Sequence, residues 1–254
     1  MYLYEAALDG QNLSAIAPEI ILLDVVERAP EEDKQTAVRA LRPGLLLAHR
    51  MRQSLAVELV LMIRTQDVGR RAAVMRAITE WAWGTRWLTL NTHPDERLRV
   101  TPEEPPVLGS ASEWTEKITL TLTAYERPYW ENEEPTTVTV TTEEKALRFP
   151  GSVGNVVEVT ATNTGADAMT SLMLTCGSTF FSLSGLNVPP GETVEIRYTD
   201  DSTLQILAGG VSAMANRDAA SSDDLYAEAG VSNAVSATGD QSVSAIFRVR
   251  GRWL

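Results

Sequence analysis

Apolar positions in this chain recur mostly in short runs or at every second residue, which predicts a protein built mainly from strands. Ile20 to Val26 (IILLDVV) is an apolar run of strand length. Leu45 to Met51 and Leu55 to Ile63 read as two further strands. The second of these, LAVELVLMI, is apolar on both faces apart from Glu58. A strand of that kind needs cover on both sides, from a helix and from a second sheet or a neighbouring chain. Arg28 to Gly44 is rich in charge and closes on Pro43-Gly44, so it reads as a long loop or arm. A short helix near Gln35 to Leu41 is the alternative there.

The helical period is clear in one place, Val68 to Trp83, so one principal helix is expected. Val68, Ala72, Met75, Ile78 and Ala82 are spaced by three and four, and Val74 and Trp81 widen the stripe. Asp67 fits an N-cap and Gly84 a C′ stop. Trp81, Trp83 and Trp87 crowd into the turn that follows and are expected to form a core seam before the short strand Trp87 to Leu90. Residues 102–109 (PEEPPVLG) read as a rigid connector. In Glu116 to Ala124 the apolar Ile118, Leu120, Leu122 and Ala124 alternate with Lys117, Thr119, Thr121 and Thr123, the pattern of a half-buried strand.

The character of the chain changes at Glu131 to Pro135 (ENEEP), beyond which Thr, Ser, Val and Gly rise. The expected organisation is a first domain over residues 1–132, a linker over 133–145 and a second domain over 146–254. Alternation recurs at Val157, Val159 and Ala161, at Val194, Ile196 and Tyr198, and at Val243, Ala245, Phe247, Val249 and Trp253. Asn163-Thr164-Gly165, Pro189-Pro190-Gly191 and Gly209-Gly210 punctuate these runs, as in a β-sandwich. Residues 213–240 are small and polar with no strong period, and read as a long loop or a partly ordered tip.

Charge narrows the function classes. The chain has 254 residues and a net charge of -12. Residues 1–134 hold 15 basic and 21 acidic side chains and residues 135–254 hold 7 and 13, so each half is net -6. That balance disfavours nucleic-acid phosphates and anionic membrane surfaces, and no sequence-specific nucleic-acid partner is expected. A single cysteine, Cys176, makes an intrachain disulfide impossible. The opening MYLYEAALDG lacks a basic n-region and an apolar h-region, so no signal peptide is expected. No window approaches 18 apolar residues, so no membrane insertion is expected either.

Little in the chain points to catalysis. His49 and His93 fall in different elements and no ligand pair has metal-binding spacing, so no metal is assigned. No G-x-S-x-G elbow, P-loop or G-x-G-x-x-G occurs, and no catalytic residue or cofactor is assigned. The acidic pairs Glu31-Glu32, Glu103-Glu104, Glu133-Glu134 and Asp223-Asp224 sit in charged, loop-like surroundings that favour solvated charge over a glycosidase acid. Cys176 ends an apolar run and reads as a small buried residue. Arg64, Arg70, Arg71 and Arg76 form a cluster that could be taken for a nucleic-acid patch, and Arg70 and Arg71 lie near the helix N-terminus, where positive charge is mildly unfavourable. A solvated face is the ordinary reading of that group and an interface the sharper one.

The order of features then becomes informative. Leu8-Asp9-Gly10 is followed by a strand, a charged arm, two strands and a helix with Glu80-Trp81 near its end; a Thr-rich strand closes on Tyr129-Trp130-Glu131. This order resembles the amino-terminal domain of the distal tail proteins of long-tailed phages. FPGSVGNVVEVTATNT, VPPGETVEIRY and the last strand look like the second domain of the same family. The resemblance implies a tail-tube-like β-sandwich or barrel followed by a galectin-like β-sandwich. It implies a homohexameric ring at the virion tail tip, made in the host cytoplasm, that joins the tail tube protein, the tail-associated hub protein and a receptor-binding protein. Arg28, Glu31, Glu32 and Lys34 of the arm, with Leu55, Val57, Leu59 and Leu61 of the two-faced strand, are then the expected interface residues. The alternative is a carbohydrate-binding module in the second domain, for which Tyr226 and Phe181 are the candidate sugar contacts.

Overall fold

In chain order the first half folds as β1 (Ala6–Leu8), β2 (Gln11–Asn12), β3 (Ile20–Glu27), β4 (Glu31–Val38), β5 (Leu45–Arg64), helix α1 (Val68–Ala82), β6 (Arg86–Leu90), β7 (Glu96–Pro102), β8 (Thr115–Ala124) and β9 (Trp130–Asn132). These assignments come from a computed structural model that describes residues 4–29, 31–38, 45–105, 115–199 and 203–253. Two compact units divide the chain, Met1–Glu131 and Asn132–Trp253.

Strand β5 organises the first unit. The two strands expected over 45–63 are one, 20 residues long. Its second half pairs with β8 residue by residue, from Leu55 with Ala124 to Arg64 with Thr115. On its other side it pairs with β3, from Val57 with Glu27 to Ile63 with Ile20, across a bulge between Leu22 and Asp24. The sheet order is β2-β1-β6-β7-β8-β5-β3. Arg28 to Gly44 is not a loop: Glu31–Val38 is β4, paired antiparallel with Leu45 to Ser54. Gln35 to Val38, where a helix was the alternative, belong to that strand, and residues 39–44 lie outside the described residues.

Helix α1 begins where expected. Asp67 accepts hydrogen bonds from the backbone N–H of Gly69 (2.8 Å) and Arg70 (3.2 Å), and Gly84 follows the helix at φ 84°. The buried stripe is Arg71, Val74, Met75, Ile78, Trp81 and Ala82, so it passes through Arg71 in the first turn, while Val68 and Ala72 face outward. Arg71 can join it because its guanidinium reaches the Thr65 carbonyl at 3.0 Å while its apolar stem stays inside. The three-indole seam is a single indole. Trp81 is buried and donates from Nε1 to the Gln11 carbonyl at 2.9 Å. Trp83 caps the helix in solvent, and Trp87 is half-buried under the Arg97 guanidinium, 4.0 Å from its ring centre. The expected connector at 102–109 starts on the last residue of β7, and residues 106–114 lie outside the described residues.

The second unit contains β10 (Thr136–Val140), β11 (Lys145–Leu147), β12 (Asn155–Val156), β13 (Glu158–Asn163), β14 (Met169–Cys176), β15 (Thr179–Val188), β16 (Thr193–Tyr198), β17 (Leu204–Ala208), β18 (Val211–Ser212), β19 (Tyr226–Ala227), β20 (Asn233–Gly239), β21 (Val243–Val249) and β22 (Arg252–Trp253). One sheet runs β10-β21-β13-β16-β17-β18 and another runs β11-β20-β14-β15. Alternate residues of both sheets, among them Leu147, Val159, Leu174, Phe181, Ile196, Val235 and Phe247, meet in one core, the arrangement of a β-sandwich. The fold is therefore mainly β with one principal helix.

Two expectations fail here for identifiable reasons. Residues 133–145 hold β10, which pairs along its length with β21 from Thr136 with Val249 to Val140 with Ala245, so the expected linker contributes a strand to the sandwich. Residues 213–240 are not a plain loop. Asn233–Gly239 is β20, flanked in its sheet by β11 and β14. Upstream of it, residues 218–222 fasten along β15. Asp218 and Ser222 donate from the backbone to the Ser182 and Phe180 carbonyls, both at 2.9 Å. Ser222 and Ser221 hydroxyls accept from the Phe180 and Ser182 N–H groups, both at 3.0 Å. The outer edge of β15 is thereby closed.

Candidate functional site: assembly edges of the first unit

The surfaces through which the first unit could act are strand edges, and they follow from the length of β5. Its partner β8 ends at Ala124, opposite Leu55. Among the described residues, Leu45 to Ser54 pair with β4 alone. β3 and β4 line the same side of β5: the Arg28 N–H donates to the Ala56 carbonyl at 3.0 Å and links the two ladders. Arg28 also pairs its guanidinium with Glu58 across the strands. The result is a hairpin whose base belongs to the sheet and whose outer part is a two-stranded ribbon. Eight residues of β4 carry that ribbon roughly 26 Å. Two strands alone are marginal in water, so a ribbon of this length stands to gain from packing on something else.

A second edge lies on β3, the last strand of its sheet. It is eight residues long, carries neither Lys nor Pro, and exposes Leu23 and Val26. Soluble proteins usually blunt such an edge with charge, proline or cover. Here the blunting is partial: the Asp24 carboxylate takes the Val25 N–H at 2.9 Å beside the bulge.

The expected interface residues divide. Arg28 is exposed at the base of the ribbon. Glu31, Glu32 and Lys34 lie on β4, in register with Ser54, Arg52 and Arg50. Leu55, Val57, Leu59 and Leu61 are a correction: they are 3, 0, 0 and 0% exposed within the single chain, so they are its core and not a surface awaiting a sister copy. The features that sequence reasoning missed are the edge of β3, which among the described residues pairs with β5 alone, and the pairing of β4. The signal for the first was in IILLDVV, a strongly apolar strand whose one charge is Asp24.

One polar cluster ties the end of β3 to the body of the first unit. The His93 ring stacks flat on Trp130, with centres 4.2 Å apart and 4° between planes. Its Nε2 lies 2.7 Å from Glu27 and its Nδ1 3.1 Å from Glu96, and Trp130 Nε1 donates to Glu27 at 3.3 Å. Glu19, just before β3, receives two hydrogen bonds from the Arg70 guanidinium at 2.7 and 3.1 Å, which holds its carboxyl below the usual value. Among the described residues, no group of three or more His, Cys, Asp and Glu is placed to hold a metal.

The second unit offers a smaller set of groups. Phe181 is 0% exposed in the sandwich core, so it is corrected from a sugar contact to a core residue, while Tyr226 on β19 is 42% exposed. Cys176 is buried, and burial pushes its thiol up to about 11, the behaviour of an inert core residue. Asp218 accepts the Ser182 and Ser184 hydroxyls, and Asp240 accepts the Thr170 hydroxyl and the Ser171 N–H. Those donors hold both carboxyls below the ordinary aspartate value. No helix among the described residues is long and apolar enough to cross a membrane.

No known protein-family model and no curated protein matches the sequence. Solved structures do match, along nearly the whole chain. The SPP1 Dit (gp 19.1) protein, a paradigm of the hub adsorption apparatus in Gram-positive-infecting phages, superposes with a TM-score of 0.78 at 13% identity, covering 98% of this chain and 99% of that chain. A chain of the phage p2 baseplate in its activated conformation with Sr matches with a TM-score of 0.51 at 7% identity, covering 97% of each chain. The Ca form of the same baseplate gives 0.51 at 8%, covering 99% of this chain and 98% of that one. At such identities the likeness establishes a shared fold, and these neighbours are structural components of phage hubs and baseplates.

Proposed function

We propose that this chain is a structural subunit of a phage tail tip. Its first unit assembles with sister copies into a hexameric ring that joins the tail tube protein to the tail-associated hub protein. Its second unit supplies docking surface for a receptor-binding protein. The work is done by repeated interfaces under closed rotational symmetry rather than by catalysis. The site of action is the virion tail tip, after synthesis in the host cytoplasm.

The observation that carries this reading is the end-to-end likeness to SPP1 Dit, which takes in both units at once. Two features of the first unit support it independently. The ribbon of β4 and the outer half of β5 stands to gain from packing on something else, and the β3 edge is apolar and unblunted by Lys or Pro. Both are surfaces that a neighbouring copy completes. The acidic balance, net -12, suits a ring through which DNA passes without sticking.

The test is the mass and shape of the purified full chain. Light scattering is expected to give six copies, and negative-stain micrographs a ring with a central opening. A monomer that persists at high concentration, with no ring on the grid, sinks the proposal.

A further inference from the structure

We propose that helix α1 carries both halves of a head-to-tail contact between copies of this chain: a basic patch of Arg64, Val68 and Arg76 on one copy seats on an acidic, aromatic pocket of Trp83, Glu103 and Glu104 on the next. This contact rests on the ring reading above and gives it residues.

The pocket lies at the C-terminal end of α1. Trp83 is 73% exposed, although an indole is the side chain with most to gain from burial. With Pro102, Glu103, Glu104 and Pro105 it walls a cavity of about 250 Å³. The Glu103 carboxylate is held in place by the Thr123 hydroxyl at 2.8 Å and the Tyr125 hydroxyl at 3.3 Å, which brings a second exposed ring to the rim. Among the described residues neither Glu103 nor Glu104 pairs with a cation. Arg86, which is close by in the chain, is committed elsewhere, donating to the Trp83 carbonyl at 2.9 Å and facing Asp9 at 3.8 Å. An exposed indole beside two uncompensated carboxylates fits a guanidinium, which stacks on the ring and hydrogen-bonds the acids together.

The matching patch runs from the end of β5 along the outer face of the helix to its middle. Arg64 ends β5 and is exposed, and Val68 opens the helix at 75% exposure. Arg76 folds back toward the first turns, its Nε 3.4 Å from the Ala72 carbonyl. Among the described residues, Arg64 and Arg76 have no carboxylate within ion-pair distance, unlike Arg70, which Glu19 holds. Val68 opens the helix and Trp83 caps it, and the Arg76 side chain is drawn back to Ala72, about 10 Å along the axis from Thr79 on the pocket wall, so Arg76 turns away from the pocket of its own chain. Between copies patch and pocket meet, and a heterologous contact repeated by rotation closes a ring. A chain of net charge -12 repels its own copies, so setting arginine against glutamate places attraction at the contact itself.

The experiment uses the full chain and reads mass by light scattering across a dilution series. E103R/E104R places like charges at the contact and is expected to raise the concentration for half assembly roughly a hundredfold. R64E/R76E, altering the opposite patch, is expected to do the same. The fourfold charge swap, and a 1:1 mixture of the two double variants, are expected to regain the wild-type mass. Rings that survive both double variants overturn this contact while leaving the ring reading intact. A wild type that never assembles overturns the ring reading and this contact with it. Folded double variants that lose assembly without recovery in the swap overturn the pairing of these two patches.

Discussion

Leu59→Ala distinguishes a core residue from an interface residue at the centre of β5. Leu59 is 0% exposed and stands in register with Leu120 on β8 and Val25 on β3. Removing three side-chain carbons there leaves a cavity walled by fixed strands, so the expected loss is about 3 kcal/mol, within a range of roughly 2–5 for buried Leu→Ala. That is about a 150-fold shift toward the unfolded state. For a unit of this size it lowers the melting midpoint by roughly 10 °C. Tryptophan emission is the natural readout, because five of the six tryptophans, Trp81, Trp83, Trp87, Trp114 and Trp130, lie in the first unit and only Trp253 in the second. Urea titrations at several protein concentrations separate folding from assembly, since assembly alone makes the midpoint concentration-dependent. An L59A variant that melts within about 0.5 kcal/mol of wild type, yet fails to assemble, refutes the core assignment and restores Leu59 to a surface between copies.

Two further outcomes are expected in the second unit. Asn163→Ala removes a side chain whose Nδ2 donates to the Asp167 and Val188 carbonyls, each at 2.8 Å, and whose Oδ1 takes the Gly165 N–H at 2.9 Å. Unfolding of the sandwich by calorimetry should fall by about 2 kcal/mol, and an unchanged transition means that water replaces all three bonds. Asp218 and Asp240 have carboxyls held below 3.8 by hydroxyl and backbone donors. A depressed carboxyl stabilises the fold above its ordinary value and releases that contribution as pH falls through the lower, folded value. The melting midpoint of wild type should therefore drop on acidification below about pH 4, and D218N/D240N should show a shallower drop; parallel acid limbs contradict the assignment.

What the sequence revealed depended on whether side chains or backbone hold an element. Strand β8 and helix α1 declare themselves through side chains: Ile118, Leu120 and Leu122 face inward between threonines, and Asp67 caps a helix that Gly84 follows. Strand β4 (EEDKQTAV) has no such pattern, because its ladder with Leu45 to Ser54 is a matter of backbone pairing that composition does not report. Strand β20 (NAVSATG) is small and polar in composition, yet Asn233, Val235 and Ala237 turn inward at every second place. Leu55, Val57, Leu59 and Leu61 expose a deeper limit. Hydropathy says that an apolar side chain will be covered, and the same transfer free energy applies whether the cover is its own chain or another. Only tertiary placement separates the two, which is why these four residues read as interface and folded as core.

Two long end strands, β15 of the second unit and β3 of the first, are treated in opposite ways, and that contrast bears on the proposed assembly. In the second unit, β15 ends its sheet, but residues 218–222 bond along it and Asp218 receives two of its hydroxyls, so no run of free N–H and C=O groups is offered there. In the first unit, β3 ends its sheet with Leu23 and Val26 in solvent, and β5 continues past β8 with β4 as its one partner among the described residues. An open apolar edge is a hazard in a protein that works alone, because it templates indiscriminate pairing. It is tolerable where a defined neighbour occupies it in every working copy. The ring proposed above, assembled through the first unit, is consistent with both treatments.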